Sequence, residues 1–340
     1  MKIVLVEEAG TGKLAHYTYG LASALSKENE VSLFTSKEYE LSDLPRRFQL
    51  KESSLQSLLE ERTDVIHFQW TKSPEATLSL LPGLKEKARI VYTPHSILPH
   101  KQRESHIPIF EKIYRLVDRI IVHSEEEKEE LAGLFGNEEK TVVLPHGDYS
   151  FLHKLYSLKR QPAKAMLGIN SRDKIILFFG YVKKEKGIET LLQAFSKVRE
   201  EAAGIEEVKL IIAGEGDMAH SQDEGLIRDL RYVPLDKAAL YFSAADVVVL
   251  PYQKRANSPI VQLAYTFGRP VITTSANNGV IDGKTGFIVQ RGDSDELAGK
   301  IIEIILCSSR AFRMSQYARR LSQTKYSWER IARETVEVYR

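Results

Sequence analysis

Short apolar runs alternate with amphipathic segments along almost the whole chain. The runs in the first half are continuous and rich in Val and Ile, which is typical of parallel strands buried on both faces. Helical spacing follows several of them, for example at Ala15–Glu28 and Glu126–Leu134. This alternation predicts a doubly wound α/β sheet. The predicted strands are Lys2–Val6, Val31–Thr35, Val65–Phe68, Ile90–Thr93, Ile120–His123 and Thr141–Leu144.

The alternation breaks at Pro145–Pro162, a stretch of mixed polarity with a proline at each end, and then starts again. We interpret this stretch as a hinge. The sequence therefore predicts two Rossmann-like domains, residues 1–160 and 161–325, that face a central cleft, with a last helix, 326–340, assigned to the first domain. The predicted strands of the second half are Lys174–Phe179, Lys209–Ala213, Val247–Leu250, Val271–Thr273 and Phe287–Val289, with a helix at Asp295–Leu306.

Composition narrows the functional class. The net charge of +2 over 340 residues argues against a nucleic-acid partner, because phosphate-backbone affinity requires a clustered basic surface. The single cysteine, Cys307, excludes a disulfide framework and fits a reducing compartment, so the expected location is the cytoplasm. No apolar run reaches the ~18 residues of a membrane-spanning helix. Basic stretches at Pro45–Lys51 and Lys154–Lys164 leave open a peripheral contact with the inner face of a membrane.

The segment after the strand Lys174–Phe179 is the strongest candidate for an anion site. Gly180 ends the strand, three lysines precede Gly187, and helical spacing begins at Ile188. Cations beside a helix start favour phosphate, because the first N–H groups of a helix lack intrahelical partners. A solvated, lysine-rich loop is the alternative, and this stretch alone leaves both open. The lysines are Lys183, Lys184 and Lys186.

A glycine turn, Ala9–His16, follows the first strand. A Walker P-loop is excluded, because Glu7 replaces its first glycine and Leu14 replaces the residue that would bind magnesium. A dinucleotide fingerprint is also poor, since no acid follows the second strand. We expect a tight turn at Gly10 and Gly12 that lets a ligand approach the sheet, with a plain βα turn as the alternative.

Three further features lie where strands end or helices begin. His95 ends the fourth predicted strand, at the sheet edge where ligands bind, although a lone histidine is often structural. Ala213–Met218 places two glycines after a strand. Ser258 followed by Pro259 predicts a helix N-cap, and Gly268 ends that helix.

Metal binding has little support in the sequence. Asp293 and Asp295 are similar to the paired carboxylates of metal-dependent sugar transferases, but they precede a predicted helix. Acids at that position act as caps. We interpret both as caps and expect no metal site.

Taken together, these stretches resemble the retaining glycosyltransferases of family 4, which have the GT-B fold. Each stretch is short, and their order and spacing carry the resemblance. It implies that the second domain binds a nucleoside-diphosphate-sugar and that the first binds the acceptor, which is a sugar, a lipid-linked molecule or a small molecule. The stretches are Gly10–Tyr19, Thr93–His95, Val122–Leu131, Leu144–Asp148, Phe179–Gly187, Ala213–Gly216, Asp246–Pro251, Gly268–Ile272, Asp282–Val289 and Tyr326–Trp328.

The resemblance also implies roles for single residues. Lys186 matches the lysine that holds the donor diphosphate, Lys183 stands where a branch of the family has arginine, and His95 matches a catalytic histidine near the transferred sugar. It implies front-face attack, in which the donor phosphate takes the acceptor's proton, and no metal or other cofactor. The implied donor-binding residues are Gly10, Gly12, Gly180, Gly214, Glu215, Val233, Leu235, Ser258 and Gln262, and the implied acceptor-binding residues are His16, Tyr17 and Trp70.

The chain departs from the family at its two glutamates. Arg255 and Leu263 occupy those positions, and Gln262 and Ser258 are the nearest polar substitutes. Three functions are therefore open: a metal-independent retaining hexosyltransferase, an inactive regulatory subunit that binds nucleotide-sugar, and a GT-B sugar-nucleotide epimerase. We favour the first, because the lysines and His95 are intact.

Overall fold

The chain folds into two units, each built on one parallel sheet. The computed structural model describes residues 1–99, 103–203, 207–218, 224–254, 258–277 and 279–340. The first unit is Met1–Gly147 with Lys325–Arg340, and the second is Asp148–Thr324. The strands are β1 (Lys2–Val6), β2 (Glu30–Thr35), β3 (Gln49–Glu52), β4 (Val65–Phe68), β5 (Arg89–Tyr92), β6 (Arg119–Val122), β7 (Thr141–Val143), β8 (Lys174–Phe179), β9 (Val208–Ala213), β10 (Leu226–Asp229), β11 (Val247–Leu250), β12 (Val271–Thr274) and β13 (Gly286–Val289). The α-helices are α1 (Gly12–Leu25), α2 (Pro74–Lys85), α3 (Ile107–Leu116), α4 (Glu125–Phe135), α5 (Ser150–Tyr156), α6 (Arg160–Met166), α7 (Ile188–Ala202), α8 (Leu235–Ala244), α9 (Ile260–Thr266), α10 (Ser294–Leu306), α11 (Ser308–Gln323) and α12 (Trp328–Tyr339).

The first sheet has the strand order β3-β2-β1-β4-β5-β6-β7, and neighbouring strands pair in parallel. The chain moves outward from β1 in one direction and then returns to add β4 on its other side. This reversal places a crevice beyond the carboxyl ends of β1 and β4, which is where parallel sheets bind ligands.

The second sheet repeats this plan with the order β10-β9-β8-β11-β12-β13, again parallel. Its reversal lies between β8 and β11. The loop after β8 carries the predicted lysines, and the loop after β11 carries Pro251 and Tyr252. The topology therefore brings both loops to one place.

The predicted doubly wound α/β architecture is confirmed in both units. Each predicted strand is present, with ends that agree to within one residue. Two strands were missed, β3 and β10. Both are outermost strands of their sheets, and their sequences, QLKE and LIRD, carry little apolar pattern.

The chain passes between the units earlier than the sequence indicated. We placed the boundary at residues 160/161, within a hinge at 145–162, whereas the first unit ends at Gly147. The supposed hinge instead forms α5 and the start of α6, which both pack on α8. Its mixed polarity arises because these short helices bury few side chains, such as Leu152 and Ala163.

The last helix, α12, packs on α1 of the first unit. The indole of Trp328 fills the space beside two glycines: a Cβ added to Gly20 would lie 2.2 Å from the ring, and one added to Gly147 would lie 2.3 Å from it. At the other end of the helix, the Tyr339 hydroxyl pairs with Nδ1 of buried His67 at 2.7 Å. Buried contacts therefore fix both ends of α12.

The packing of Trp328 gives a test of this arrangement. We expect Gly20→Ala to destabilise the first unit by about 1–3 kcal/mol, because the new methyl group overlaps a buried ring. Gly133→Ala in α4 is the matched control, since Gly133 is also helical, is exposed and has open space at its Cβ. That control should stabilise by about 0.5–1 kcal/mol through helix propensity. Urea unfolding of both variants measures the difference, and equal stabilities would refute the packing described for Trp328.

Candidate functional site

The lysine loop of the second unit depends on one close backbone contact. Lys184–Lys186 form a turn of 3-10 helix, and Gly187 then adopts φ +75° before α7 begins. A Cβ on Gly187 would lie 2.0 Å from the carbonyl oxygen of Pro251, so only glycine fits. The Gln253 N–H also donates to the Glu185 carbonyl oxygen at 2.8 Å, which ties the two loops together.

This contact places Lys186 over an aromatic ring. Its Nζ lies 3.8 Å from the centroid of Tyr252, and the side chain is partly buried. Tyr252 is 2% exposed, burial raises its pKa to about 12, and its hydroxyl lies 3.0 Å from the Ser258 hydroxyl. The Lys183 Nζ lies 5.3 Å from the ring centroid of exposed Tyr181. Both lysines thus lie in the loop after β8, but in different settings: Lys186 is partly buried, and Lys183 is exposed.

The glycine turns after β8 and β9 touch each other. A Cβ on Gly214 would lie 2.2 Å from the Gly180 carbonyl oxygen. The Val182 N–H donates to the Glu215 carbonyl oxygen at 2.9 Å, so the two turns run side by side. The predicted donor residues Gly180, Gly214 and Glu215 are therefore brought together, and the absence of side chains on the glycines leaves backbone at the surface of the crevice.

The prediction that Ser258 caps a helix is wrong. The helix α9 begins at Ile260, Pro259 holds the N-cap position, and no side chain caps it. The Ser258 hydroxyl instead meets Tyr252. Pro259, which immediately precedes the helix, already has helical φ and ψ and therefore takes the N-cap position from Ser258. Gly268 does end the helix, as predicted, with φ +62°.

The residues expected to meet the ribose and base lie on three elements of the second unit. Gln262 is on α9, and its side-chain oxygen is buried without a hydrogen-bond partner among the described residues. Leu263 is 4% exposed, and Arg255 lies outside the described residues. Val233 is buried in the loop before α8, and Leu235 is the first residue of that helix.

The described ranges contain neither a cluster of metal ligands nor a helix able to span a membrane. No group of three or more His, Cys, Asp or Glu side chains there is arranged to hold a metal ion. Asp293 caps α10, as predicted, by accepting from the backbone N–H groups of Asp295 and Glu296. Of the helices in those ranges, none has both the length and the apolar content needed to cross a membrane.

In the first unit, side-chain carboxylates accept hydrogen bonds from the backbone N–H groups of the glycine turn. Buried Glu7 accepts from the N–H groups of Ala9 at 2.6 Å and Gly10 at 2.9 Å, and burial raises its pKa to about 7. The Gly12 N–H donates to a side-chain oxygen of Glu40 at 2.5 Å. We expected a tight turn at Gly10 and Gly12 that lets a ligand approach the sheet. Both glycines have positive φ, and their N–H groups have acceptors within the unit; the approach of a ligand stays a prediction.

A cluster of rings surrounds Tyr17 on α1. The centroid of its ring lies 4.6 Å from that of His95, 5.0 Å from those of His123 and His146, and 5.1 Å from that of Trp328. His123 directly follows β6, and His95 and His146 each lie three residues after the end of β5 and β7, so the parallel sheet aligns them along one edge. Tyr17 and His95, predicted as site residues, are therefore neighbours.

Hydrogen bonds link part of this cluster to the sheet. His95 Nε2 lies 3.2 Å from the side-chain oxygen of buried Gln69, and His95 Nδ1 lies 3.2 Å from His123 Nε2. His123 Nδ1 in turn lies 3.0 Å from the carbonyl oxygen of Leu144. Burial lowers the pKa of both imidazoles, and nearby cations and imidazoles lower that of His95 further. Burial also lowers the pKa of His146 to about 3. The cluster is a set of neutral rings at neutral pH.

The two remaining predicted acceptor residues lie near this edge. Trp70 follows β4 with φ +92°, a backbone conformation that a large side chain rarely adopts, and its ring stacks on Phe110 at 5.5 Å. His16, one turn into α1, places its Nε2 3.7 Å from a carboxylate oxygen of Glu40. Trp70 is therefore a strained backbone position two residues after the end of β4.

Sequence reasoning missed three members of this edge: Gln69, His123 and His146. Each follows the end of a strand, as His95 does, so the rule that selected His95 would have selected them too. It also missed Glu40 and Tyr252. Nothing near Glu40 in the sequence indicates that its carboxylate reaches the Gly12 amide, because that contact joins positions 28 residues apart.

Each half of the chain matches a family model of glycosyltransferases. Residues 14–147 match the family model of "Glycosyltransferase Family 4", and residues 173–306 match that of "Glycosyl transferases group 1". An uncharacterised glycosyltransferase of Methanocaldococcus jannaschii is 29% identical over 65% of this chain and 60% of its own length. The D-inositol 3-phosphate glycosyltransferase of Corynebacterium urealyticum is 25% identical over 74% of this chain and 66% of its own length. Both matches thus span less than two thirds of the relative.

A solved structure matches this chain over nearly its whole length. Anabaena HepE, in complex with UDP and glucose, has a TM-score of 0.78 and 17% sequence identity, and the match covers 99% of this chain and 98% of that one. At this identity the likeness establishes the fold.

The contact between Gly187 and Pro251 gives a test with an internal control. Gly187→Ala and Gly168→Ala both place a side chain at positive φ, +75° and +67°, which costs about 1–2 kcal/mol. Only the Cβ at position 187 also meets a carbonyl oxygen, whereas the Cβ at 168 meets open space. We therefore expect Gly187→Ala to lose a further ~1–3 kcal/mol in urea unfolding of the second unit. Equal losses would contradict the close approach of the two loops.

Proposed function

Since the chain belongs to the family 4 glycosyltransferases and has their GT-B fold, we propose that it transfers a hexose from a nucleoside-diphosphate-sugar to an acceptor hydroxyl. The transfer retains the anomeric configuration and uses no metal ion. The second unit binds the donor, and the first unit binds the acceptor, which is a sugar, a lipid-linked molecule or a small molecule.

The observation that carries the proposal is the setting of Lys186. A partly buried ammonium group lies over the ring of Tyr252 at the reversal point of a parallel sheet, beside the start of α7. A cation in this position attracts anions, and a fixed cation stabilises the charge that develops on a departing diphosphate more strongly than water does. Lys183, four residues after the end of β8, supplies a second cation to the same loop.

Other groups of the second unit suit the remaining parts of such a donor. The side-chain oxygen of Gln262, which has no hydrogen-bond partner in the described part of the chain, is an acceptor for a ribose hydroxyl, in place of the family's glutamate. Ser258 presents its hydroxyl beside Tyr252. The backbone at Val233–Leu235 is placed to meet the base. HepE was solved with UDP and glucose, which makes a uridine donor the first to try.

The mechanism follows from the leaving group. The bond between the anomeric carbon and the diphosphate oxygen breaks while the acceptor oxygen bonds to the same face, and the departing phosphate takes the acceptor's proton. Charge develops on the diphosphate, so the lysines act where stabilisation lowers the barrier. Because the lysines supply the positive charge, the reaction requires no divalent cation. His95 and its neighbours orient the sugar or the acceptor.

The decisive experiment incubates the purified chain with UDP-, GDP- and ADP-hexoses, with and without simple sugar acceptors, in the presence of EDTA. Release of nucleoside diphosphate, with an α-linked product from an α-linked donor by proton NMR, supports the proposal. Donor binding without any turnover would instead indicate the regulatory subunit. Interconversion of the sugar without release of nucleoside diphosphate would indicate the epimerase. Activity lost in EDTA and restored by magnesium would refute metal independence.

Lys186→Ala tests the residue on which the proposal depends. We expect kcat to fall about 100-fold or more, because removal of a preorganised charge at the reacting group typically costs this much. Lys184→Ala is the matched control: it removes the same charge two residues away, from an exposed side chain, and should leave kcat within about twofold. Circular dichroism shows whether both variants keep the fold. Equal kcat values in the two variants would remove Lys186 from its assigned role.

A further inference from the structure

The row of side chains Gln69, His95 and His123 shows which ring nitrogens carry protons. A neutral imidazole has one nitrogen that donates and one that accepts. If one proton in the row can be located, the others follow in turn. The row ends at a backbone carbonyl group, which locates the first.

That first proton is on His123. Its Nδ1 lies 3.0 Å from the carbonyl oxygen of Leu144, and a carbonyl oxygen only accepts. Nδ1 therefore carries the proton, and Nε2 of the neutral ring has a lone pair. A hydrogen bond from the His123 N–H to buried Glu127 at 2.7 Å fixes the backbone at this position.

The second proton is on His95. Its Nδ1 lies 3.2 Å from the lone pair on His123 Nε2, so Nδ1 must donate. Neutral His95 then has its own lone pair on Nε2. That nitrogen faces the side-chain oxygen of Gln69 at 3.2 Å, and two acceptors face each other.

The amide of Gln69 resolves this conflict. Its nitrogen is buried and has no hydrogen-bond partner among the described residues. The oxygen and nitrogen ends of a glutamine amide have nearly the same shape, and a rotation of about 180° exchanges their positions. After the exchange, the nitrogen donates to His95 Nε2, and each bond in the row joins a donor to an acceptor.

The alternative is a doubly protonated His95, which would donate from both nitrogens to the groups as placed. Burial and the neighbouring groups act against it. Burial lowers the pKa of His95 well below its ordinary range, and His123, His146, Lys13 and His67 lower it further. The structure shows no carboxylate bonded to this ring that would favour the cation; its hydrogen-bond partners among the described residues are Gln69 and His123.

We propose that Gln69 and His123 are positioning residues that hold His95 as the neutral tautomer with its proton on Nδ1, and that the Gln69 amide nitrogen donates to Nε2. Both ring nitrogens of His95 are then engaged within the protein. His95 does not take the acceptor's proton, and it presents a fixed dipole and ring edge instead. The tautomer rests on the geometry of the row together with the neutrality of its two buried imidazoles, whereas its importance for transfer rests on the proposed function.

Nitrogen NMR of the histidine-labelled chain without substrate tests the tautomer directly, because a protonated ring nitrogen and a lone-pair nitrogen resonate far apart. We expect His95 at pH 7 to show a protonated Nδ1 and an unprotonated, hydrogen-bonded Nε2. A proton on Nε2, alone or in a cation, would overturn the proposal. This measurement requires no activity, so a chain that transfers no sugar would refute the proposed function and leave the tautomer open to the same test.

Two variants separate positioning from structure. In Gln69→Leu the Nε2 resonance should move toward that of a nitrogen without a hydrogen bond, and an unchanged resonance would exclude donation by Gln69. In Gln69→Glu the carboxylate only accepts and favours the cationic form of His95, so the pKa of His95 should rise by at least about one unit. The kcat profile of that variant should then gain an ionisation that wild type lacks. Gln56→Glu makes the same change at an exposed position of the first unit and should alter neither.

Discussion

The second unit depends on one approach of backbone to backbone. Between Gly187 and the Pro251 carbonyl group there is no room for a side chain. Since the loop after β8 and the loop after β11 meet at this contact, Tyr252 comes to lie beneath Lys186. A cation at a ring face gains about 0.5–2 kcal/mol, depending on how far it is desolvated. The same contact therefore sets the position of the charge and limits its freedom, which is what a group that must stabilise a departing anion requires.

In the first unit, the polar groups at the carboxyl edge of the sheet are hydrogen-bonded to one another. Its glycine turn has amides that would otherwise suit an anion, and Glu7 and Glu40 occupy them. Its histidines lie among Tyr17 and Trp328 with lowered pKa values, so they remain neutral. The lysine loop thus belongs to the second unit, and the cluster of the first unit consists of neutral rings and an amide group, with Lys13 as a nearby cation. This division suits a charged donor and an uncharged hydroxyl acceptor.

The fold was predictable, because buried parallel strands have a continuous apolar pattern that edge strands lack. That difference explains why β8 was found and β10 was not: KIILFF is buried on both faces, and LIRD is at the end of its sheet. The site was predictable only where sequence neighbours form it, as in the lysine loop. Glu40 and Gln69 depend on contacts between distant positions, and Ser258 was misassigned because Pro259 took the capping position.

The passage of the chain out of the first unit and back has a consequence for synthesis on the ribosome. The groove formed by Gly20 and Gly147 is filled by Trp328, which emerges only after the whole of Asp148–Thr324 has been made. The first unit therefore stays incomplete, with its groove not yet filled by Trp328, while the second unit is translated and folds. Vectorial translation would thus let the second unit mature before the first, although the first is the one whose synthesis begins earlier.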